Sequence, residues 1–225
     1  MKKVFSSLVL IFAMVFTVHA QVPKGMGSSD PNAKKILDAV SVKFKSYKSV
    51  QAKFSLKLEN GSGQSLTNGS KTGTVYMKGT KYRISVTGKD GQEIFCDGSN
   101  VWTYDRSSKE VTISKIDNSA NSITPQKLFT NFYDKDFLYK LNGKTTLNGK
   151  QMDEVELTPI DKTKAFHKVL LYVDKSVIYT TKVFEKTGNR LTYSVNSMTT
   201  TAAIPDATFV FDAKLYPGVE VVDLR

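Results

Sequence analysis

The sequence predicts a mainly β protein with helices: a curled antiparallel sheet forming an incomplete, unclosed barrel, with a helical lid or plug over its concave apolar face. Three observations lead there. Between residues 74 and 116, five strand-length runs rich in β-branched and aromatic residues are separated by turns of a few residues, and such short connections permit only antiparallel neighbours. A second series of similar runs starts at Phe137. Two segments begin with a capping residue and a proline and then carry apolar stripes at helical spacing, which need a partner to bury them.

Taken in order, Met1-Lys2-Lys3, an apolar run over 4–18 and the small-residue pattern Val18-His19-Ala20 predict a cleaved export signal over residues 1–20. The run is short for a membrane span. Residues 21–29 read as a loose Gly/Ser/Pro-rich leader, which leaves 30–225 as one domain. Asp30 and Pro31 open a helix whose Ala33, Ile36, Leu37, Val40, Phe44 and Tyr47 share a face. That stripe suits either a helix fixed on the sheet or a mobile lid. From Val50 the period changes to two. Val50, Ala52, Phe54, Leu56 and Leu58 alternate with Gln51, Lys53, Ser55, Lys57 and Glu59, as in a sheet covered on one side.

Residues 60–73 then connect to the meander at 74–78, 82–87, 92–96, 100–105 and 110–116. Thr124-Pro125 opens the second helix, with Leu128, Phe129 and Phe132 as its stripe. Further strands are expected at 137–141, 153–158, 168–174, 178–185, 191–198 and 208–211. Asn142-Gly143, Asn148-Gly149 and Gly188-Asn189 mark turns, and 216–222 is a candidate edge strand. About a dozen strands in one sheet must curl or split.

The 225 residues include 32 Lys and Arg against 21 Asp and Glu, a net charge of +11 that becomes +9 once Lys2 and Lys3 leave with the signal. The lysines are scattered, and an exported chain meets little nucleic acid. The charge therefore suits plain solubility, an acidic partner, or transient contact with an anionic membrane face. Cys96 is the only cysteine, so no intramolecular disulfide forms and the core holds without staples.

His19 leaves with the signal and His167 alone remains, which excludes a His-metal cluster or a Cys-His pair. There is no phosphate-binding glycine loop and no Gly-x-Ser-x-Gly turn. Asp97 and Asp105 stand where turns use carboxylates, and Cys96 beside Asp97 should keep its proton. No catalytic residue, metal ligand or cofactor is expected, and the chain reads as a non-enzyme. What remains is apolar surface. Phe54, Leu56, Val75, Met77, Tyr82, Ile84, Phe95, Trp102 and Tyr104 are the candidate lining of the concavity, with ordinary core packing the first expectation for any single one. Ile36, Leu37, Val40, Phe44, Phe129 and Phe132 are the candidate lid.

Three stretches carry a resemblance: Ser46-Tyr47-Lys48-Ser49-Val50-Gln51-Ala52-Lys53-Phe54 at the helix-to-strand junction, Cys96-Asp97-Gly98-Ser99-Asn100-Val101-Trp102-Thr103-Tyr104-Asp105 in the meander, and Pro205-Asp206-Ala207-Thr208-Phe209-Val210-Phe211 with Pro217-Gly218-Val219 near the end. In their order and spacing the chain resembles the periplasmic outer-membrane lipoprotein carriers, the LolA family. The resemblance implies a monomeric periplasmic shuttle that covers lipoprotein acyl chains. It would load from an inner-membrane ABC transporter and deliver to an outer-membrane acceptor. A carrier or sensor of other lipids or amphiphiles with the same half-barrel is the alternative. Where members of the family read Lys-Arg-Pro, this chain has Lys78-Gly79-Thr80. The arginine associated with latching the lid helix is thus missing, and Arg83 is the nearby candidate to replace it.

Overall fold

A computed structural model describes residues 29–66, 70–116 and 133–225. The expected export signal, nearly all of the leader, and the second helical stripe with Leu128, Phe129 and Phe132 lie outside them.

Twelve strands form one sheet: β1 (Val50–Glu59), β2 (Lys71–Lys78), β3 (Lys81–Val86), β4 (Gln92–Cys96), β5 (Asn100–Asp105), β6 (Glu110–Lys115), β7 (Phe137–Leu147), β8 (Lys150–Pro159), β9 (Phe166–Asp174), β10 (Val177–Glu185), β11 (Arg190–Thr199) and β12 (Glu220–Asp223). Their spatial order is β12-β6-β5-β4-β3-β2-β1-β11-β10-β9-β8-β7, so two meanders meet where β1 pairs with β11, and the ends do not join. Every pair is antiparallel except β12 with β6, which is parallel. The sheet curls round an apolar concave face crossed by the helix α1 (Pro31–Lys45); a short helix α2 (Tyr133–Asp136) leads into β7.

Asp30 caps α1 by accepting from Asn32 N at 2.8 Å, and its other carboxylate oxygen accepts from Leu141 N on β7 at 3.1 Å. Those amide bonds hold the Asp30 carboxyl below the ordinary carboxylate range, the Asn32 bond most of all. One residue thus starts the helix and fastens it to the edge of the sheet. Ala33, Leu37 and Val40 are buried with Tyr133, Phe137, Val155, Leu157, Leu171 and Ile178, so this half of the stripe is core.

Three sequence expectations are corrected. Asn142-Gly143 is not a turn: β7 runs through it with a bulge after Leu141, and Gly143 takes φ 106°, which lets the strand bend without ending. Residues 208–211 are not a strand; Asp206–Phe209 form a 3-10 turn whose Phe209 is fully buried. The edge strand at the tail exists, but it pairs with β6 in parallel, after the chain has left β11 and crossed β1 to β6 to reach it. That crossing is fastened by Ser49 Oγ, which donates to Ala202 O at 2.6 Å, and by Lys78 and Lys81, each 2.9 Å from the Asp206 carboxylate. Beyond it, Phe211 and Tyr216 lie on the outer face of β4 to β6 against Phe95, Trp102, Tyr104 and Val111.

Candidate functional site

A predominantly apolar cavity of about 480 Å³ lies on the concave face beneath the C-terminal half of α1. Val40 and Phe44 roof it. Ala52 and Phe54 of β1, Val75 and Met77 of β2 and Ile84 of β3 form one wall; Thr181 and Val183 of β10 with Leu191, Tyr193 and Val195 of β11 form the other. Strand alternation explains this set, since every second side chain of β1 and β11 faces inward. The lining is not sealed. Tyr193 is 39% exposed, whereas Leu37 in the adjoining core is 2% exposed.

Of the residues singled out in the sequence, Phe54, Val75, Met77, Ile84, Val40 and Phe44 are brought together round the cavity. Ile36 and Leu37 belong to the neighbouring core under the helix. Leu56 is half-buried one alternation beyond Phe54, outside the cavity wall. Tyr82 shares the concave face but is buried with Met77 and Cys96. Burial, with a smaller effect of Cys96, pushes its hydroxyl pKa up.

Phe95, Trp102 and Tyr104 lie on the opposite, outer face. Register is the reason: Tyr82 pairs with Cys96 and Cys96 with Val101, which places Phe95 and Trp102 one residue out of phase with the cavity wall. Phe95 and Tyr104 pack instead on Phe211 beneath the C-terminal crossing. The sequence-based lining omits the part that β10 and β11 contribute, although the alternation Leu191-x-Tyr193-x-Val195 signals it.

Arg83 is on the outer face too. Its Nη2 lies 2.7 Å from Glu93 Oε2, Arg106 Nη2 lies 2.7 Å from Glu93 Oε1, and the Tyr216 hydroxyl donates to Glu93 Oε2 at 3.2 Å. Burial pushes the Glu93 pKa up, but the hydrogen bonds from Arg106 and Arg83 together outweigh it and leave the carboxyl below its ordinary value. The guanidinium therefore serves the C-terminal crossing and faces away from α1. Gly79 occupies the β2–β3 turn at φ 58°, a conformation that favours glycine.

What fastens the helix is its own side chains. Lys34 Nζ reaches Asp38 at 2.9 Å and Asp134 at 3.4 Å, and the Tyr133 hydroxyl donates to Asp38 at 2.8 Å. At the other end Lys43 Nζ donates to Lys175 O at 2.8 Å in the β9–β10 turn. The N-terminal half is pinned by core and ion pairs. The C-terminal half, over the cavity, packs through Phe44, beside Tyr47, against Val50, Ala52 and Met77 and is tied at Lys43 to the β9–β10 turn.

The candidate carboxylates have turn duties. Asp97 Oδ1 accepts from Ser99 N and Asn100 N at 2.8 Å each, and Asp105 Oδ1 accepts from Ser107 N at 2.7 Å. Burial pushes the Cys96 thiol pKa up; the Gly98 amide opposes this and Asp97 adds to it. Among the described residues no group of three or more His, Cys, Asp or Glu could hold a metal ion, and no helix is long and apolar enough to cross a membrane.

An unclosed antiparallel sheet with a helix across its concave face and an apolar cavity between them is an architecture suited to holding apolar or amphiphilic groups. The family model described as "Outer membrane lipoprotein carrier protein LolA" matches residues 45–212, and the chain belongs to that family. The outer-membrane lipoprotein carrier protein of Pseudomonas putida strain W619 is 26% identical over 176 residues, 77% of this chain and 79% of its own length. That of Francisella philomiragia is 32% identical over 135 residues, 55% of this chain and 60% of its own. Among solved structures, an uncharacterized conserved protein from Thermus thermophilus superposes with a TM-score of 0.56 at 14% identity, covering 85% of this chain and 99% of that one. LolA family proteins are periplasmic, and its carriers are non-enzymatic.

Proposed function

We propose that this chain is a periplasmic lipoprotein carrier that shelters acyl chains in the cavity under α1 between an inner-membrane ABC transporter and an outer-membrane acceptor. The observation that carries it is the cavity: about 480 Å³, inside the roughly 300–1,000 Å³ range of ligand sites, apolar, and bordered by residues left half-exposed. Burying an acyl chain of about 15 methylenes at ~0.8 kcal/mol each is worth roughly 12 kcal/mol against water. A bilayer offers the same chain as much. Extraction from a membrane therefore needs an energy-supplying partner, and delivery needs a cavity that does not outbid the bilayer.

Phe44 is the side chain that yields to cargo, because Leu37 and Val40 are core and the helix is held elsewhere by Asp30, Lys34 and Asp38. The test is displacement of an environment-sensitive fluorescent fatty acid by a triacylated lipopeptide and by the same peptide without its acyl chains. Displacement by the acylated form alone supports the carrier reading. Equal displacement by free fatty acid or phospholipid, with none by the lipopeptide, turns it toward a carrier of other lipids.

A further inference from the structure

The C-terminal crossing covers the outer face of β4 to β6 but does not reach the outer face of β10, β11 and β1; beside these strands Met152, Leu170 and Tyr172 of β8 and β9 are buried under Leu147, Tyr179 and Phe184. Pairing places Lys57, Thr192 and Lys182 in one row across three strands, and Glu59, Arg190, Phe184 and Lys168 in the next. The side chains meet there. Lys57 Nζ lies 2.7 Å from Glu59 Oε1, and Lys182 and Arg190 also act on that carboxylate. Lys168 Nζ stands 4.5 Å and Arg190 Cζ 5.7 Å from the Phe184 ring centroid. Four cations thus share one carboxylate and an aromatic ring. Thr192 Oγ1, between Lys57 and Lys182, is buried and finds no hydrogen-bond partner among the described residues. Glu154 and Glu156, held by Asn142, bound the patch on the β8 side.

We infer that this basic outer face docks on a bilayer surface bearing anionic phospholipid. Excess positive charge round an aromatic ring complements phosphate headgroups, with the ring at the apolar boundary. Position favours the bilayer over an acidic protein: Leu191 and Val183, next in sequence to Thr192 and Lys182, line the cavity on the other side of the same strands. Docking here brings one end of the cavity within a sheet's thickness of the headgroups. The inference uses the family's periplasmic location but not the identity of the cargo.

The test is co-sedimentation of the protein recovered from the periplasm with vesicles of phosphatidylcholine alone and of phosphatidylcholine with phosphatidylglycerol. Binding is expected on the anionic vesicles only, and it should fade as salt shortens the screening length. K57Q/K168Q/K182Q should weaken the partition by roughly 100-fold, at about fivefold per lysine. K89Q/K135Q/K214Q, which removes the same charge from other exposed positions, should weaken it by no more than a few fold. Equal loss in the two variants, or no binding of the parent protein to anionic vesicles, overturns the inference, even if the patch then captures an acidic protein. A lysine-acetylation footprint of the unmodified protein decides the matter should the patch variant fail to fold. Vesicles should protect Lys57, Lys168 and Lys182 and leave Lys89, Lys135 and Lys214 reactive; the reverse pattern contradicts it. Uptake of the fluorescent fatty acid, measured alongside, reports on the cavity separately.

Discussion

Gly73 sets the capacity of the cavity wall. It stands opposite Phe54 across the β1–β2 ladder, and the Phe54 ring lies over it. A Cβ at this position would fall 2.4 Å from Phe54 Cζ and 2.6 Å from the backbone oxygen of Ser85 on β3. The ring can swing away, but only off the sheet and into the cavity. The Ser85 carbonyl can yield only by spreading β2 from β3. Overpacking of this kind costs about 1–3 kcal/mol, and the backbone contact puts Gly73→Ala in the upper half of that range. Urea unfolding should show a lower midpoint at unchanged slope, together with reduced uptake of the fluorescent fatty acid. In a Phe54→Ala background the ring clash is gone, so Gly73→Ala should cost less by about 0.5 kcal/mol or more. The same cost in both backgrounds, or full stability and full uptake in Gly73→Ala, would refute this picture of the wall.

Other consequences are as specific. Glu93 has its pKa lowered in the folded state, so its contribution is complete above the ordinary value of 4.5 and is lost as pH falls through the folded value. Glu93→Gln should destabilise by about 1–3 kcal/mol at neutral pH, discounted because both arginines are about a third exposed, and should flatten the acid limb of stability against pH. Lys175 and Ser176 turn β9 into β10 with φ of 47° and 63°, so Ser176→Gly should stabilise the protein by about 1 kcal/mol in thermal unfolding. Asp30→Ala removes both the cap and the tie to Leu141. Hydrogen exchange should then quicken in the first turns of α1, while the amides of β1 and β11 keep their protection.

Much of the fold is legible because the period-2 runs and short turns leave little freedom: β4 and β5 have the bounds read from the sequence. The helix start is equally plain, since Asp30-Pro31 is a cap whose side chain has one evident use. Faces are harder. Phe95, Trp102 and Tyr104 form an apolar cluster that composition alone assigns to the main concavity. Only the register of the Asp97-Gly98-Ser99 turn shows that they point the other way, onto Phe211 and Tyr216, which lie more than a hundred residues later. Asn142-Gly143 carries the chemistry of a hairpin turn and is used as a bulge, because β8 pairs with β7 on both sides of it. Arg83 is close to the helix-bearing half by its place in the chain, yet one step of alternation puts it beside Glu93.

The most direct measurement of the carrier reading is native mass spectrometry of the protein recovered from periplasm without detergent. Complexes in which one copy carries a lipoprotein acylated at its N-terminal cysteine, lost when Val195→Glu places a charge in the cavity wall, are the expected result. Protein that is empty, or that carries only free fatty acid or phospholipid while lipoproteins are abundant in the same extract, would contradict it.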